Sequence, residues 1–532
     1  MFRIIRRNFP LILSLFVFCF LQLLVFNKGL NFRDEGFLLN NATRIMHGDI
    51  PYRDFFLTTT PGTYYLQSFV FQLFGVHIIL GRLLYFLFAV SLLALFNYIL
   101  IKTSVFHKTI GLLLISIAFV GVGAYAFYNL EGLVIFLMAL LLFKNSKKKN
   151  IGIFFTGIAL GLLFIFKQSY AVYGILGFLC LILIDISRDK TKKLLSIFFG
   201  LAAILLPFFG YFLLNKALYQ FIYFTGVFSE EVKGHREPFI LTSLLFIPLF
   251  LIVLQILKKM PKRKALTMFL VFVAGFFLVY IGISPARLGR ISTYIKDPLI
   301  YYYGFLLLFP LVLISYFFRS KNNHIMLYSV SLLTIFFGGA SSGRDFTTVL
   351  ICFPLVLLLC LELIKSFKKK KLLYLLIILY STFPLFFFCT SLGNLFQPST
   401  YTRSAIPQFE GILIPQKTEL ELEVLANYIK SEVKPNADIL CFPYCPLVNV
   451  LTQRNSGSYF SFFYNETIRA SDQARVIDDL KTTHTKLIVL QKTGVIEKEA
   501  AYEDKRLSVL KKYLFENYQL TFFTQNFAVY EK

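Results

Sequence analysis

Apolar runs of membrane-spanning length dominate the first 390 residues, and basic clusters separate them in alternate loops. A hydrocarbon core needs roughly 20 apolar residues per helix. The runs place spans near 9–27, 78–101, 109–127, 130–143, 151–167, 171–187, 194–214, 241–257, 266–284, 299–318, 325–339, 347–365 and 372–390. The clusters begin with Arg3/Arg6/Arg7, Lys102/Lys108, Lys144 with Lys147–Lys149, and Arg188/Lys190/Lys192/Lys193. They continue with Lys258/Lys259/Lys262/Arg263/Lys264, Arg319/Lys321, and Lys365 with Lys368–Lys371. Every cluster falls on the side of the N-terminus, so the positive-inside rule makes that side cytoplasmic. Thirteen spans then put residues 391–532 outside the cytoplasm. The run from Pro10 to Phe26 resembles a signal peptide, but no small-residue cleavage site follows it. It reads as a first helix that stays attached.

Composition matters here because it tempts a different conclusion. A net charge of +25 suggests a nucleic-acid partner. Yet only 16% of the residues are charged, 64 are Phe, and mean hydropathy is +0.68. Residues 1–390 hold 38 basic and 13 acidic residues, whereas residues 391–532 hold 16 of each. The whole imbalance therefore lies in the membrane half. There it sets orientation and meets anionic membrane lipid. Nucleic acid is excluded as a partner. Asp185, Asp189 and Glu362 are the acids on the cytoplasmic side of this topology; the other ten are external, and four of those crowd the first external loop, 28–77.

That loop reads Asn31-Phe32-Arg33-Asp34-Glu35-Gly36, then Gly48-Asp49-Ile50-Pro51-Tyr52-Arg53-Asp54-Phe55-Phe56, then Thr60-Pro61-Gly62-Thr63-Tyr64-Tyr65. Leu38, Ala42 and Ile45 repeat at helical spacing, and Gly48 with Pro51 marks a stop. The pattern predicts an amphipathic helix on the membrane surface, with Asp34 and Glu35 at its N-terminal end. Acids there interact favourably with the helix dipole, for roughly 0.3–1 kcal/mol each. The alternative is that Asp34 is a catalytic carboxylate at the membrane interface.

The order of these motifs, with Leu73-Phe74-Gly75 and Arg82 opening the next span, resembles the GT-C superfamily of integral membrane glycosyltransferases. The branch it most resembles holds the bacterial proteins similar to protein O-mannosyltransferases and to the aminoarabinose transferase of lipid A. The detailed match covers roughly residues 30–85, with looser similarity to about 390. The resemblance implies transfer of a sugar from a polyprenyl-phosphate carrier to an extracytoplasmic acceptor, by inverting displacement. The acceptor is a cell-envelope glycan, a lipid or a protein. The resemblance makes Asp34 the catalytic acid, with Glu35 beside it, and leaves a divalent metal ion open. Physically, a carboxylate suits deprotonation of an acceptor hydroxyl. The leaving lipid phosphate calls for cations.

Other candidates sit at external turns. Glu131 is an acid near the turn where similar proteins place one facing the site, or else it caps the fourth helix. Lys167 meets the donor phosphate or snorkels to the interface. Arg82, Arg287, Arg290 and Arg344 are further phosphate candidates, since Arg suits bidentate phosphate recognition. Tyr52 and Asp54 serve acceptor binding or the shape of the loop.

Residues 391–532 read as a separate extracytoplasmic α/β domain. Helices are predicted at Thr418–Ser431, Asp472–Leu480 and Asp504–Phe515. Strands are predicted at Asp438–Phe442 and Lys486–Leu490, with a strand pair near Leu520–Tyr530. Cys441 and Cys445 read as two unpaired thiols, with a disulfide as the alternative. The rival functional class is a transporter or flippase of lipid-linked glycans. It predicts internal repeats and broken helices near the midplane, and neither is evident.

Overall fold

In hydrocarbon a backbone must satisfy its own polar groups, so apolar runs fold as helices. The computed structural model of the chain follows this rule. It describes residues 2–120, 128–146, 150–184, 189–227, 323–342, 346–366, 400–435, 437–463, 468–492 and 507–532, with scattered positions at 306–310 and 374–389. The helices of the membrane half are α1 (Phe2–Val25), α2 (Asp34–Met46), α3 (Gly62–Phe74), α4 (Ile78–Ile99), α5 (Val105–Val120) and α6 (Tyr128–Asn145). They continue with α7 (Asn150–Phe166), α8 (Gln168–Ile184), α9 (Lys190–Leu214), the short α10 (Leu218–Ile222), α11 (Asn323–Ser342) and α12 (Phe346–Ser366).

Among the described residues, five helical segments are long and apolar enough to cross a membrane: Asn8–Val25, Ile78–Ile99, Tyr128–Asn145, Lys190–Leu214 and Thr347–Lys365. Four shorter apolar helices, at Val105–Val120, Ile151–Phe166, Gln168–Leu183 and His324–Ala340, coincide with further expected spans. The spans expected at 241–257, 266–284, 299–318 and 372–390 lie wholly or largely outside the described residues. The helices share one apolar core that includes Phe96, Leu133, Leu160, Tyr173, Phe336 and Leu357.

The C-terminal region is built on a five-stranded sheet of order β4-β3-β5-β7-β6. Its strands are β3 (Asp438–Phe442), β4 (Asn455–Ser456), β5 (Leu487–Gln491), β6 (Gln519–Phe523) and β7 (Phe527–Glu531). β3 runs parallel to β4 and β5, placing Ile439 opposite Leu487. β7 runs antiparallel to both β5 and β6. β5 is buried at every residue, as befits a strand covered on both faces. On one face Leu422, Leu425 and Ile429 of α13 (Gln416–Glu432) join Ile439 and Val489. On the other, Val476 and Leu480 of α15 (Gln473–Thr482) and Leu510 and Leu514 of α16 (Ser508–Asn517) join Leu440 and Ile488. Three elements escape the pattern reading because they are too short for periodicity. They are β4, the helix α14 (Leu447–Thr452), and the ribbon of β1 (Tyr401–Arg403) with β2 (Leu413–Pro415). Cys441 and Cys445 form a disulfide, not the two thiols expected, because the turn between them brings their Cα atoms to 5.5 Å.

The first loop is wedged between this region and the helices. Leu413 donates its N–H to the Asn27 carbonyl at 2.6 Å and accepts from Gly29 N–H at 2.8 Å. Phe56 N–H donates to the Tyr459 carbonyl at 3.0 Å, and the Tyr459 hydroxyl donates to the Tyr52 carbonyl at 2.7 Å. Helix α2 ends where predicted, with the chain turning at Gly48 (φ +100°). Its environment differs from the membrane surface expected. Leu38, Ala42 and Ile45 are buried within the protein, and α2 packs on α3 and α14. A Cβ on Gly36 would lie 2.7 Å from the Leu447 nitrogen, so glycine sets how closely α2 approaches α14.

Candidate active site

The start of α2 is shaped by Asn31, whose side-chain oxygen accepts the N–H groups of Arg33 (3.1 Å) and Asp34 (2.8 Å). From there the two adjacent acids diverge. Glu35 turns inward and accepts two hydrogen bonds from Arg82, at 2.8 Å from Nε and 3.0 Å from Nη2. Arg82 also donates to the carbonyls of Phe26 (3.1 Å) and Gly29 (2.8 Å). Both side chains are buried, at 3% and 4% exposure. The pair therefore pins the loop to α1 and α4. Glu35, expected beside the catalytic acid, and Arg82, expected at the donor phosphate, are paired with each other here.

The other loop acids are engaged as well. Asp49 pairs with Arg44 at 2.7 Å, and Arg44 further donates to the carbonyls of Ser458 (3.0 Å) and Asp54 (2.8 Å). Asp54 pairs with Arg53 at 2.8 Å and accepts the Ile50 N–H at 2.7 Å. Burial pushes the Asp54 carboxyl up. The Arg53 and Ile50 hydrogen bonds and the charges of Arg53 and Arg44 outweigh it and hold the group below the usual range. Tyr52 is fully buried; its hydroxyl donates to the Thr59 carbonyl at 2.6 Å, and Phe212 and Phe221 meet its ring edge-on. Tyr52 and Asp54 thus shape the loop through these internal contacts.

Asp34 differs from all three. Its side chain is 58% exposed, and its closest cation is Arg33, 3.8 Å away. Tyr64 of α3 is buried and within electrostatic reach of both Asp34 and Glu131. Burial pushes the Tyr64 hydroxyl up to about 12, with Glu131 and Asp34 adding to the shift against the Thr59 hydrogen bond. Glu131, in the first turn of α6, is 1% exposed, and the Thr63 hydroxyl donates to its Oε2. Its Oε1 has no hydrogen-bond partner among the described residues. Lys167, at the α7–α8 turn, is 2% exposed, with its ammonium 4.2 Å from the Tyr128 ring centroid. The next residue, Gln168, accepts from the Thr60 N–H and hydroxyl at 3.1 Å and donates to the Thr58 carbonyl at 3.1 Å. These bonds hold segment 58–63 against the turn.

The loop acid, the start of α6 and the α7–α8 turn therefore converge at one end of the helices. The C-terminal region supplies aromatic rings there. Phe462 lies 5.5 Å from Phe37 and 5.4 Å from Tyr444, and Arg33 stands over its ring at 5.8 Å. Arg287, Arg290 and Arg344 lie outside the described residues. Among the described residues, no three of His, Cys, Asp or Glu form a group that could hold a metal ion. Sequence reasoning overlooked Thr63, Tyr64, Gln168 and Phe462 as site residues. The first two stand in the Pro61–Tyr65 motif; no sequence signal marks the last two.

No family model and no curated protein sequence matches the chain. Among solved structures it is similar to ArnT from Cupriavidus metallidurans bound to undecaprenyl phosphate, with a TM-score of 0.47 and 11% identity over 98% of this chain and 97% of that one. For the same enzyme in its apo state the values are 0.48, 12%, 98% and 97%. It is also similar to the Archaeoglobus fulgidus oligosaccharyltransferase tethered with an acceptor peptide containing the NVT sequon. There the TM-score is 0.43 and the identity 11%, over 92% of this chain and 69% of that one.

Proposed function

We propose that this chain is a polytopic membrane glycosyltransferase of about thirteen spans. In this reading residues 1–390 form the transmembrane domain, the N-terminus is cytoplasmic, and residues 391–532 form an extracytoplasmic α/β domain. The observation that carries the proposal is the isolation of Asp34. Of four acids in the first loop, three are held in ion pairs at 2.7–2.8 Å, while Asp34 is the most exposed.

Asp34 takes the proton of an acceptor hydroxyl. The acceptor oxygen attacks the anomeric carbon of the donor sugar as the bond from that carbon to the phosphate oxygen breaks. Polyprenyl phosphate leaves, and the anomeric configuration inverts. Lys167, with Arg33 near the exposed edge, offers positive charge for the phosphate that departs. Tyr64 lies close enough to both Glu131 and Asp34 to share their electrostatic surroundings. The experiment that tests this uses purified protein, a polyprenyl-phosphate sugar and a membrane glycan acceptor. Wild type should release polyprenyl phosphate, and Asp34→Asn should release less by at least about a hundredfold, the low end for loss of a general base. Equal release would refute the assignment.

A further inference from the structure

A second site lies at the other end of α2. Arg44 follows Asp34 by ten residues, about 15 Å along the helix axis. There a cavity of about 550 Å³ opens between α2 and the C-terminal region. That volume suits a small ligand, since such pockets run roughly 300–1,000 Å³. Its lining includes Arg44, Lys430 and Arg454, and it contains no Asp or Glu among the described residues. Asp49 meets the charge of Arg44. Arg454 differs: its buried guanidinium donates to the carbonyls of Val433 (from Nε at 3.0 Å and from Nη2), Thr452 (2.8 Å) and Gln453 (3.4 Å), so its positive charge is held by neutral groups, and among the described residues it has no carboxylate partner. Lys430 stands exposed at the rim.

The second observation is Asn40. It lines the same cavity, is 3% exposed, and its amide Nδ2 has no acceptor among the described residues. A buried donor without an acceptor is an anomaly that a bound oxygen would resolve. Cationic donors together with an unmet amide match an oxyanion. The space exceeds what an inorganic phosphate fills, and Val76 and Val450 give it an apolar edge that suits the C–H face of a sugar ring.

We propose that this cavity binds a sugar phosphate, or the phosphate-bearing unit of a glycan, with the phosphate toward Arg454 and Asn40. The site stands apart from Asp34, so it holds whether or not Asp34 catalyses. The test measures thermal unfolding of the full-length protein in detergent, titrated with glucose 1-phosphate at constant ionic strength. A saturable stabilisation is expected, with none from glucose or sodium chloride. In Lys430→Glu and Asn40→Asp, which put negative charge at the rim and wall, the apparent affinity should fall about tenfold. Lys430 is exposed, so its variant keeps the fold and decides the matter alone. No stabilisation of wild type, stabilisation undiminished in Lys430→Glu, or stabilisation by phosphatidylglycerol micelles alone would overturn the proposal.

Discussion

At the entry to the first loop, Glu35 is buried at 3% exposure against Arg82, whereas one residue earlier Asp34 is 58% exposed and 3.8 Å from its nearest cation. The same helical turn thus serves two purposes. The inward acid ties the loop to α1 and α4 through four hydrogen bonds from Arg82, two of them to the carboxylate. The outward acid lies within electrostatic reach of Tyr64, whose ring meets Phe37 edge-on, and Phe37 in turn lies against the C-terminal region's Phe462. A buried, doubly bonded carboxylate cannot exchange protons with a substrate without breaking the fold around it. An exposed one can. The difference teaches that adjacent acids in one cluster can be partnered very differently, which clustering in the sequence does not reveal.

Several substitutions would break or sharpen that contrast. Arg82→Met strands Glu35 as a buried unpaired charge and should cost about 3–5 kcal/mol, read as a large fall in unfolding temperature. Wild-type stability in that variant would mean the clamp is not structural. Gly36→Val forces a side chain into Leu447 and should cost about 1–3 kcal/mol, seen in the same assay and as easier proteolytic release of the C-terminal region. Thr63→Val removes the hydrogen bond to Glu131 and leaves a buried carboxylate less satisfied, for about 1–3 kcal/mol. Arg53→Ala should cost less than about 1 kcal/mol, since Arg53 is 44% exposed.

The Asp54 pair also carries a pH signature. Its folded pKa lies below the usual carboxylate value. The stabilisation is therefore present above the unfolded value near 4 and fades as pH falls through the folded one. Wild type should therefore exceed Arg53→Ala in stability by this small contribution above about pH 4, and the two acid limbs should converge as pH falls below it.

The chain's pattern revealed its elements better than its pairings. The spacing of Leu38, Ala42 and Ile45 with Gly48 located α2 to within a residue or two, because periodicity and stop signals are local. What covers that apolar face was not legible. A membrane and a protein surface demand the same side chains, and the covering helix α14 comes some 400 residues later. The Glu35–Arg82 clamp was hidden for a related reason. A separation of 47 residues gives no hint of contact, and a buried Arg in an apolar run looks the same as one that awaits a phosphate. The disulfide of Cys441 and Cys445 depends on the turn between them, which spacing alone does not determine. Glu131 stood out as an acid at the start of an apolar run; its bond to Thr63 rests on the α3–α6 approach, which only the fold provides.

The central claim is that Asp34 acts and Glu35 supports. The most direct measurement compares turnover and unfolding temperature for Asp34→Asn and wild type in one preparation, with a polyprenyl-phosphate sugar as donor. The account predicts an unfolding temperature for Asp34→Asn matching wild type to within about 0.5 kcal/mol of stability, as for an exposed substitution. It predicts polyprenyl-phosphate release that falls by at least about a hundredfold. An Asp34→Asn protein that stays folded and turns over at the wild-type rate would contradict it.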